Sequence, residues 1–226
     1  MRKGLFTCVV ASTLLLGAEA SAGQSGAVPR NELSRRAAAR ASGWVGLRSL
    51  SKVSRAARDD CSGLTELAYR QSDLTLLPES AAPGESAVSA IYRKAALLGS
   101  FRKEPRRGDL VFFRETYDRN RDGQRNDGLT HIGIVVDVEP DGTVTFVHRA
   151  GGGVKRSKLN VRHPEARKDA RGRVLNDWLR RGERNTPGRM AGELFAGYAS
   201  VDDRWRSAPR SPPRLAVRAK ARRGSR

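Results

Sequence analysis

Residues 132–147 constrain the fold more than any other part of the chain. Ile132-Gly133-Ile134-Val135-Val136-Asp137-Val138 and Thr143-Val144-Thr145-Phe146-Val147 are short β-branched and aromatic runs, and Pro140-Asp141-Gly142 supplies turn residues between them. Strands joined so closely pair antiparallel. Leu110 to Phe113 reads as another strand, and Leu194 to Val201 as a final one. Upstream the apolar period changes from two to 3.6. Asn31 caps a predicted helical segment running to about Leu47, interrupted by Gly43 and Gly46. A second helix is expected to begin at Cys61, with Asp60 as its cap, Leu64, Leu67 and Ala68 as its inward stripe, and Gln71 next in the pattern. A third runs from about Glu85 to Leu98 on an apolar face of Val88, Ile91, Ala95 and Leu98, and Gly99 stops it. Helices followed by antiparallel strands predict an α+β domain.

The 226 residues suffice for one domain with its own core once the ends are set aside. Residues 1–22 read as a secretory signal: Arg2 and Lys3, an apolar stretch from Gly4 to Gly17, then small residues that place cleavage after Ala20 or Ala22. Residues 23–30 form a Gly/Ser-rich leader, 31–206 the folded domain, and 207–226 a Pro-, Ser- and Arg-rich tail without apolar periodicity. A second membrane-length apolar run is absent from the sequence. The net charge of +19 favours polyanions. Basic stretches without interleaved aromatics, and no helix-turn-helix or zinc-finger spacing, argue against nucleic acid and for an anionic cell envelope. The tail is read either as a surface anchor or as a solvated segment.

Cleavage of the signal would remove Cys8 and leave Cys61 alone. An exported chain meets an oxidising compartment where paired cysteines become disulfides, so an unpaired one points to a working thiol, against the alternative of a small buried hydrophobe. At a helix start, unsatisfied N–H groups and the helix dipole favour a thiolate. A thiol nucleophile also needs an imidazole. His131 opens the strand at 131–136 and projects toward the packed helix, and the hairpin brings His148 near it; His163, before a proline in a charged stretch, reads as a surface residue. For His131 and His148 the alternative is a satisfied core histidine, and Cys61 tips the reading toward a triad in which His148 orients His131. Asp60 and Ser62, flanking the nucleophile, are the candidate substrate-binding and oxyanion residues.

Asp60-Cys61-Ser62-Gly63-Leu64, Gly108-Asp109-Leu110-Val111-Phe112-Phe113, His131-Ile132-Gly133-Ile134-Val135 and Phe146-Val147-His148-Arg149-Ala150 resemble, in that order, the landmarks of NlpC-type cell-wall cysteine peptidases, relatives of the CHAP amidases. The resemblance spans about Ala37 to Lys158. It implies a papain-like fold with N-terminal helices on an antiparallel sheet, Cys61 as nucleophile, His131 as base and His148 as its orienting partner. It implies peptidoglycan stem peptides as substrate; a Cys-His-His reaction requires no cofactor, and the signal at residues 1–22 makes a secreted or periplasmic protein the expectation.

The chain departs from that pattern twice. Residues 46–53, where many members carry a Tyr and paired glycines, hold no aromatic residue. Between the Gly-Asp strand and His131 lies an insertion in which Asp118, Asn120, Asp122 and Gly123 match the first half of a calcium loop, Gln124, Asn126 and Asp127 offer further oxygens, and Leu129 stands in place of the closing Glu. Asx turns in a solvated loop account for the same residues without metal. Three functions remain open: a peptidoglycan endopeptidase or amidase, an acyltransferase or deamidase acting on a protein, and a catalytically silent envelope-binding module.

Overall fold

The computed structural model describes residues 30–70, 74–78, 82–182 and 187–206. The signal with Cys8, nearly all of the leader, Gln71 and the basic tail lie outside the described residues. The first helix, α1 (Arg30–Gly43), places Asn31 within its first turn instead of at the cap, and it ends four residues before Leu47. The cause lies just beyond Gly43. Gly46 takes a φ of +94°, a left-handed conformation that ends helices. Its N–H bonds Val154 O at 2.9 Å, while Val154 N bonds Leu47 O at 2.8 Å. The chain is thus drawn away from the helix to the far edge of the sheet.

The next helix, α2 (Cys61–Tyr69), begins where the sequence predicts. Asp60, extended at φ −133° and ψ 179°, caps it by accepting Gly63 N–H, at 2.7 Å; such a cap stabilises by roughly 1 kcal/mol. The Leu64, Leu67 and Ala68 stripe is buried. Helix α3 (Ala87–Leu97) starts two residues later than Glu85, because Ser86 is its cap and accepts Ser89 N–H at 3.1 Å. Gly99, at φ +58°, follows its end.

Six strands form the main sheet: β1 (Phe101–Arg102), β2 (Leu110–Arg114), β3 (Leu129–Val138), β4 (Val144–Ala150), β5 (Gly153–Leu159) and β8 (Phe195–Ala199). Their order is β1-β8-β2-β3-β4-β5, antiparallel throughout. Two further strands, β6 (Trp178–Arg180) and β7 (Arg189–Met190), make a separate ribbon, followed by the short helix α4 (Ala191–Leu194). The hairpin turns at Gly142, φ +85°, as the Pro-Asp-Gly sequence requires.

Alternation along the strands divides the interior into two layers. Leu110, Phe112, Ile132, Ile134 and Val136 pack with the three N-terminal helices, whereas Val111, Phe113, Val135, Phe146 and Leu159 pack with Ala191 and Leu194 of α4. Phe112 meets Tyr92 of α3 edge-on at 5.1 Å, a geometry that adds about 1 kcal/mol to its burial. Helices laid on an antiparallel sheet are the α+β arrangement expected. None of the helices among the described residues is long and apolar enough to cross a membrane.

Candidate active site

Arg58-Asp59-Asp60 is held rigidly over the start of α2, and this fixes Cys61. Asp60 Oδ1 accepts both Gly63 N–H, at 2.7 Å, and the Ser62 hydroxyl, at 2.6 Å. A Cβ on Gly63 would collide with the Arg58 carbonyl oxygen, so glycine is needed for the close approach of this loop. Ser62 is 2% exposed and also receives Arg58 Nη2 at 3.2 Å. The Asp60 and Ser62 side chains therefore serve the helix start. The first backbone N–H groups of α2 lack intrahelical acceptors, as in any helix.

His131 is the third residue of β3, because pairing extends back to Leu129 opposite Arg114 and is continued by the Thr116–Thr130 hydroxyl contact at 2.8 Å. The expectation that it opens the strand is corrected; it lines the same cleft as Cys61 at the start of α2. Its ring lies near Phe113, 6.2 Å between centroids, and stands edge-on to His148 at 4.9 Å. His131 Nε2 lies 2.7 Å from His148 Nδ1, and His148 Nε2 lies 3.1 Å from Ser157 Oγ on β5. This chain permits two proton orders, and one of them leaves His131 with a free nitrogen. With the Ser157 hydroxyl accepting from Nε2 of His148, His148 Nδ1 accepts from Nε2 of His131, and Nδ1 of His131 is left with a free lone pair. Gly133 makes room for the pair: a Cβ there would come within 2.9 Å of Phe146 Cδ2 and Val147 O, and 3.4 Å of His148 Cβ.

Cys61, His131 and His148 all line one cleft of 820 Å³, together with Tyr117, Arg149 and Trp178. His163 is exposed elsewhere. Ser157, Arg149 and Asp59 were not singled out by the sequence. Arg149 Nε and Nη2 donate to the two carboxylate oxygens of Asp59 at 3.0 and 3.1 Å. Asp59 also takes Leu50 N–H at 2.9 Å, and these partners, Arg149 first, hold its carboxyl well below the usual range. Tyr117 supplies the aromatic wall that residues 46–53 lack; it comes from the insertion instead.

Burial decides the charge state. It pushes the Cys61 thiol up to about 11, against the backbone N–H of Ile132, and pushes His131 down to about 4. Burial, then the charges of His131 and Lys155, hold His148 well below its ordinary value. A low-pKa thiolate at the helix start is therefore not what the structure contains. The dipole at a helix N-terminus favours an anion by at most about 1 kcal/mol at a typical site, and a rise from 9.0 to about 11 corresponds to about 3 kcal/mol in the opposite direction. Burial thus pushes each group, taken singly, toward its neutral form.

The family model for the NlpC/P60 family matches residues 46–172, more than half of the chain. The chain belongs to the NlpC/P60 family. Membership agrees with the papain-like α+β arrangement and makes the protein a member of a family of cell-wall cysteine peptidases, whose substrate is peptidoglycan and whose setting is typically extracellular or periplasmic. Comparison with curated proteins and with solved structures gave no match. All four motifs of the NlpC/P60 resemblance fall inside the matched residues; α1 precedes them, and β6, β7, α4 and β8 follow.

The insertion closes on itself. Asp122 Oδ2 accepts from Asn120 Nδ2 at 2.8 Å and Asn126 Nδ2 at 2.9 Å, and its Oδ1 accepts Gln124 N–H at 2.7 Å. Gly123, at φ +77°, donates to Asp118 Oδ2 at 2.8 Å. Among the described residues no three His, Cys, Asp or Glu side chains gather into a metal-holding group. Two carboxylate oxygens, Asp118 Oδ1 and Asp127 Oδ2, are buried without a hydrogen-bond partner.

Proposed function

We propose that this NlpC/P60 protein hydrolyses amide bonds in peptidoglycan stem peptides, as an endopeptidase or amidase, with Cys61 as nucleophile, His131 as base and His148 as its orienting partner. The observation that carries the reading is the Ser157–His148–His131 hydrogen-bond chain, which engages Nε2 of His131 and so leaves Nδ1 as the nitrogen for the thiol, in the cleft that Cys61 also lines.

In this reading both groups start neutral, and that sets the order of events. Nδ1 of His131 takes the thiol proton as Sγ attacks the scissile carbonyl, so charge appears only when the substrate is in place. The backbone N–H groups at the start of α2 face the developing oxyanion, a role we assign to them instead of the Asp60 and Ser62 side chains. The His131 imidazolium, steadied by its hydrogen bond to His148, gives the proton to the leaving amine as the C–N bond breaks, leaving a thioester on Cys61. Water then attacks the thioester while His131 takes a proton from it, and proton return to Sγ frees the carboxylic acid and the thiol.

Residues 1–22 direct export in this reading, and the basic tail at 207–226 holds the protein on the anionic envelope. The insertion takes structural calcium: Asp118 Oδ1 and Asp127 Oδ2 are the oxygens without partners, and Asn120, Asp122, Gln124 and Asn126 complete the donor set. Incubation with purified sacculi and mass spectrometry of the soluble products tests the hydrolase. New amino and carboxyl termini within stem peptides, or stems freed from glycan, are expected, and Cys61→Ala should abolish them. Products joined by new amide bonds, or side-chain amides converted to acids without chain cleavage, would replace hydrolysis of the wall with transfer or deamidation.

A further inference from the structure

Beyond the family's matched residues, the β6–β7 ribbon builds a second chamber against the catalytic cleft. It measures 570 Å³ and shares three walls with the cleft: Ser157, Trp178 and Arg181. That volume falls in the range of about 300–1,000 Å³ typical of ligand pockets. Trp178 is 50% exposed, whereas Trp205, in the core, is 1% exposed. Its ring is backed by Gly188, where even a Cβ would come within 3.1 Å of Cε3. The indole is thus a supported plane presented to solvent at the mouth shared by both cavities.

The polar groups around it are of both kinds. Asp177 is fixed through Oδ2 by Lys158 N–H at 2.8 Å, which leaves Oδ1 for a ligand donor. Arg156 and Arg181 line the chamber, and neither forms an ion pair among the described residues. An aromatic plane accepts the C–H face of a pyranose ring, a carboxylate takes its hydroxyl protons, and guanidinium groups donate to hydroxyl and amide carbonyl oxygens. A peptide needs no such plane beside a cleft that already receives it. We propose that this chamber binds the glycan of the wall, with a sugar ring stacked on Trp178 and its hydroxyl and amide carbonyl oxygens held by Arg181 and Arg156, so that the stem peptide enters the cleft while still attached to its sugar. The inference rests on the peptidoglycan reading of the cleft and adds the saccharide as a recognised part of the substrate.

Glycan strands stripped of stem peptides are the probe, titrated calorimetrically into the Cys61→Ala protein so that no turnover enters the measurement. Saturable binding is expected, weakened at least tenfold by Trp178→Ala and largely retained by Trp178→Phe. No binding of glycan strands, or equal binding by the Trp178→Ala protein, overturns the proposal. A second measurement compares turnover in the intact protein: Trp178→Ala should lower kcat/KM at least tenfold more on glycan-linked muropeptide than on sugar-free stem peptide, mainly through KM. Equal losses on the two substrates also overturn it. The two proposals fail separately. A protein that leaves sacculi uncut yet binds glycan strands through Trp178 refutes the hydrolase and keeps the chamber, and one that cuts sacculi without binding the strands does the reverse.

Discussion

Arg149, one residue beyond His148, grips both carboxylate oxygens of Asp59, two residues before Cys61. The pair spans the cleft from the end of β4 to the loop that sets the nucleophile, and Asp59 in turn holds Leu50 N–H at 2.9 Å. Cys61 and His131, the proposed nucleophile and base, sit on elements far apart in sequence, and this ion pair ties the two halves of the site together.

Removing either partner should loosen the alignment of Cys61 with His131. Asp59→Ala and Arg149→Ala are each expected to lower kcat about tenfold or more, since small misplacements of reacting groups are costly in rate. The double variant should be no worse than the worse single one, because both remove the same contact. Additive losses in the double variant would show that the two residues act separately.

The histidine chain predicts a graded series on sacculi. His131→Ala should lower turnover by about a thousandfold or more, as expected for loss of a general base. His148→Ala should leave a remnant, and Ser157→Ala should cost least of the three, since each lies one hydrogen bond further from the thiol. His163→Ala should leave turnover unchanged. Equal loss in His163→Ala and His131→Ala would refute the assignment.

Alkylation of Cys61 by iodoacetamide should follow a free thiol titrating high. The rate is expected to climb steadily toward pH about 11, where burial has placed the thiol, without a plateau across the neutral range. Turnover, in contrast, should rise as the pH climbs through about 4 and His131 loses its proton. A flat alkylation profile around neutrality would mean that the ion pair forms before substrate arrives.

Acid should destabilise the fold through the same histidines. His131 falls from 6.5 to about 4 on folding, so the unfolded chain binds the proton first. The stabilisation is full above pH 6.5 and lost as the pH falls toward about 4; for His131 alone it amounts to about 3 kcal/mol. Urea midpoints measured from neutral to acid pH should decline over this window, and His131→Gln should flatten the decline.

Calcium should raise the melting temperature by binding the native insertion, and chelation or Asp118→Ala should reverse the gain. A melting temperature indifferent to calcium and chelator alike would leave the loop as the hydrogen-bonded Asx turns around Asp122.

The local parts of this molecule were legible in the sequence. Asp60 as cap, Cys61 as first helical residue, Gly99 as helix stop and the turn at Gly142 each depend on a few neighbouring residues, and turn and cap chemistry is written at that scale. Ser157 was hidden because its link to His148 depends on β4–β5 register, in which Phe146 faces Ser157, and the strand at 153–159 lacks clear apolar alternation. Trp178 escaped for a similar reason: its ribbon pairs Trp178 with Met190 across a long loop. The charge state of Cys61 was misread because helix position can be seen in a sequence and burial at a cleft wall cannot.

Burial of Cys61 also governs how long the protein lasts. Oxidants attack thiolate, and the products beyond sulfenic acid are not readily reversed. Burial pushes the thiol above its ordinary value, and this lowers the share of thiolate that oxidants attack. In the proposed reaction the sulfur would become nucleophilic during the proton transfer to His131, so a thiol held protonated between encounters with substrate offers oxidants less of the reactive form.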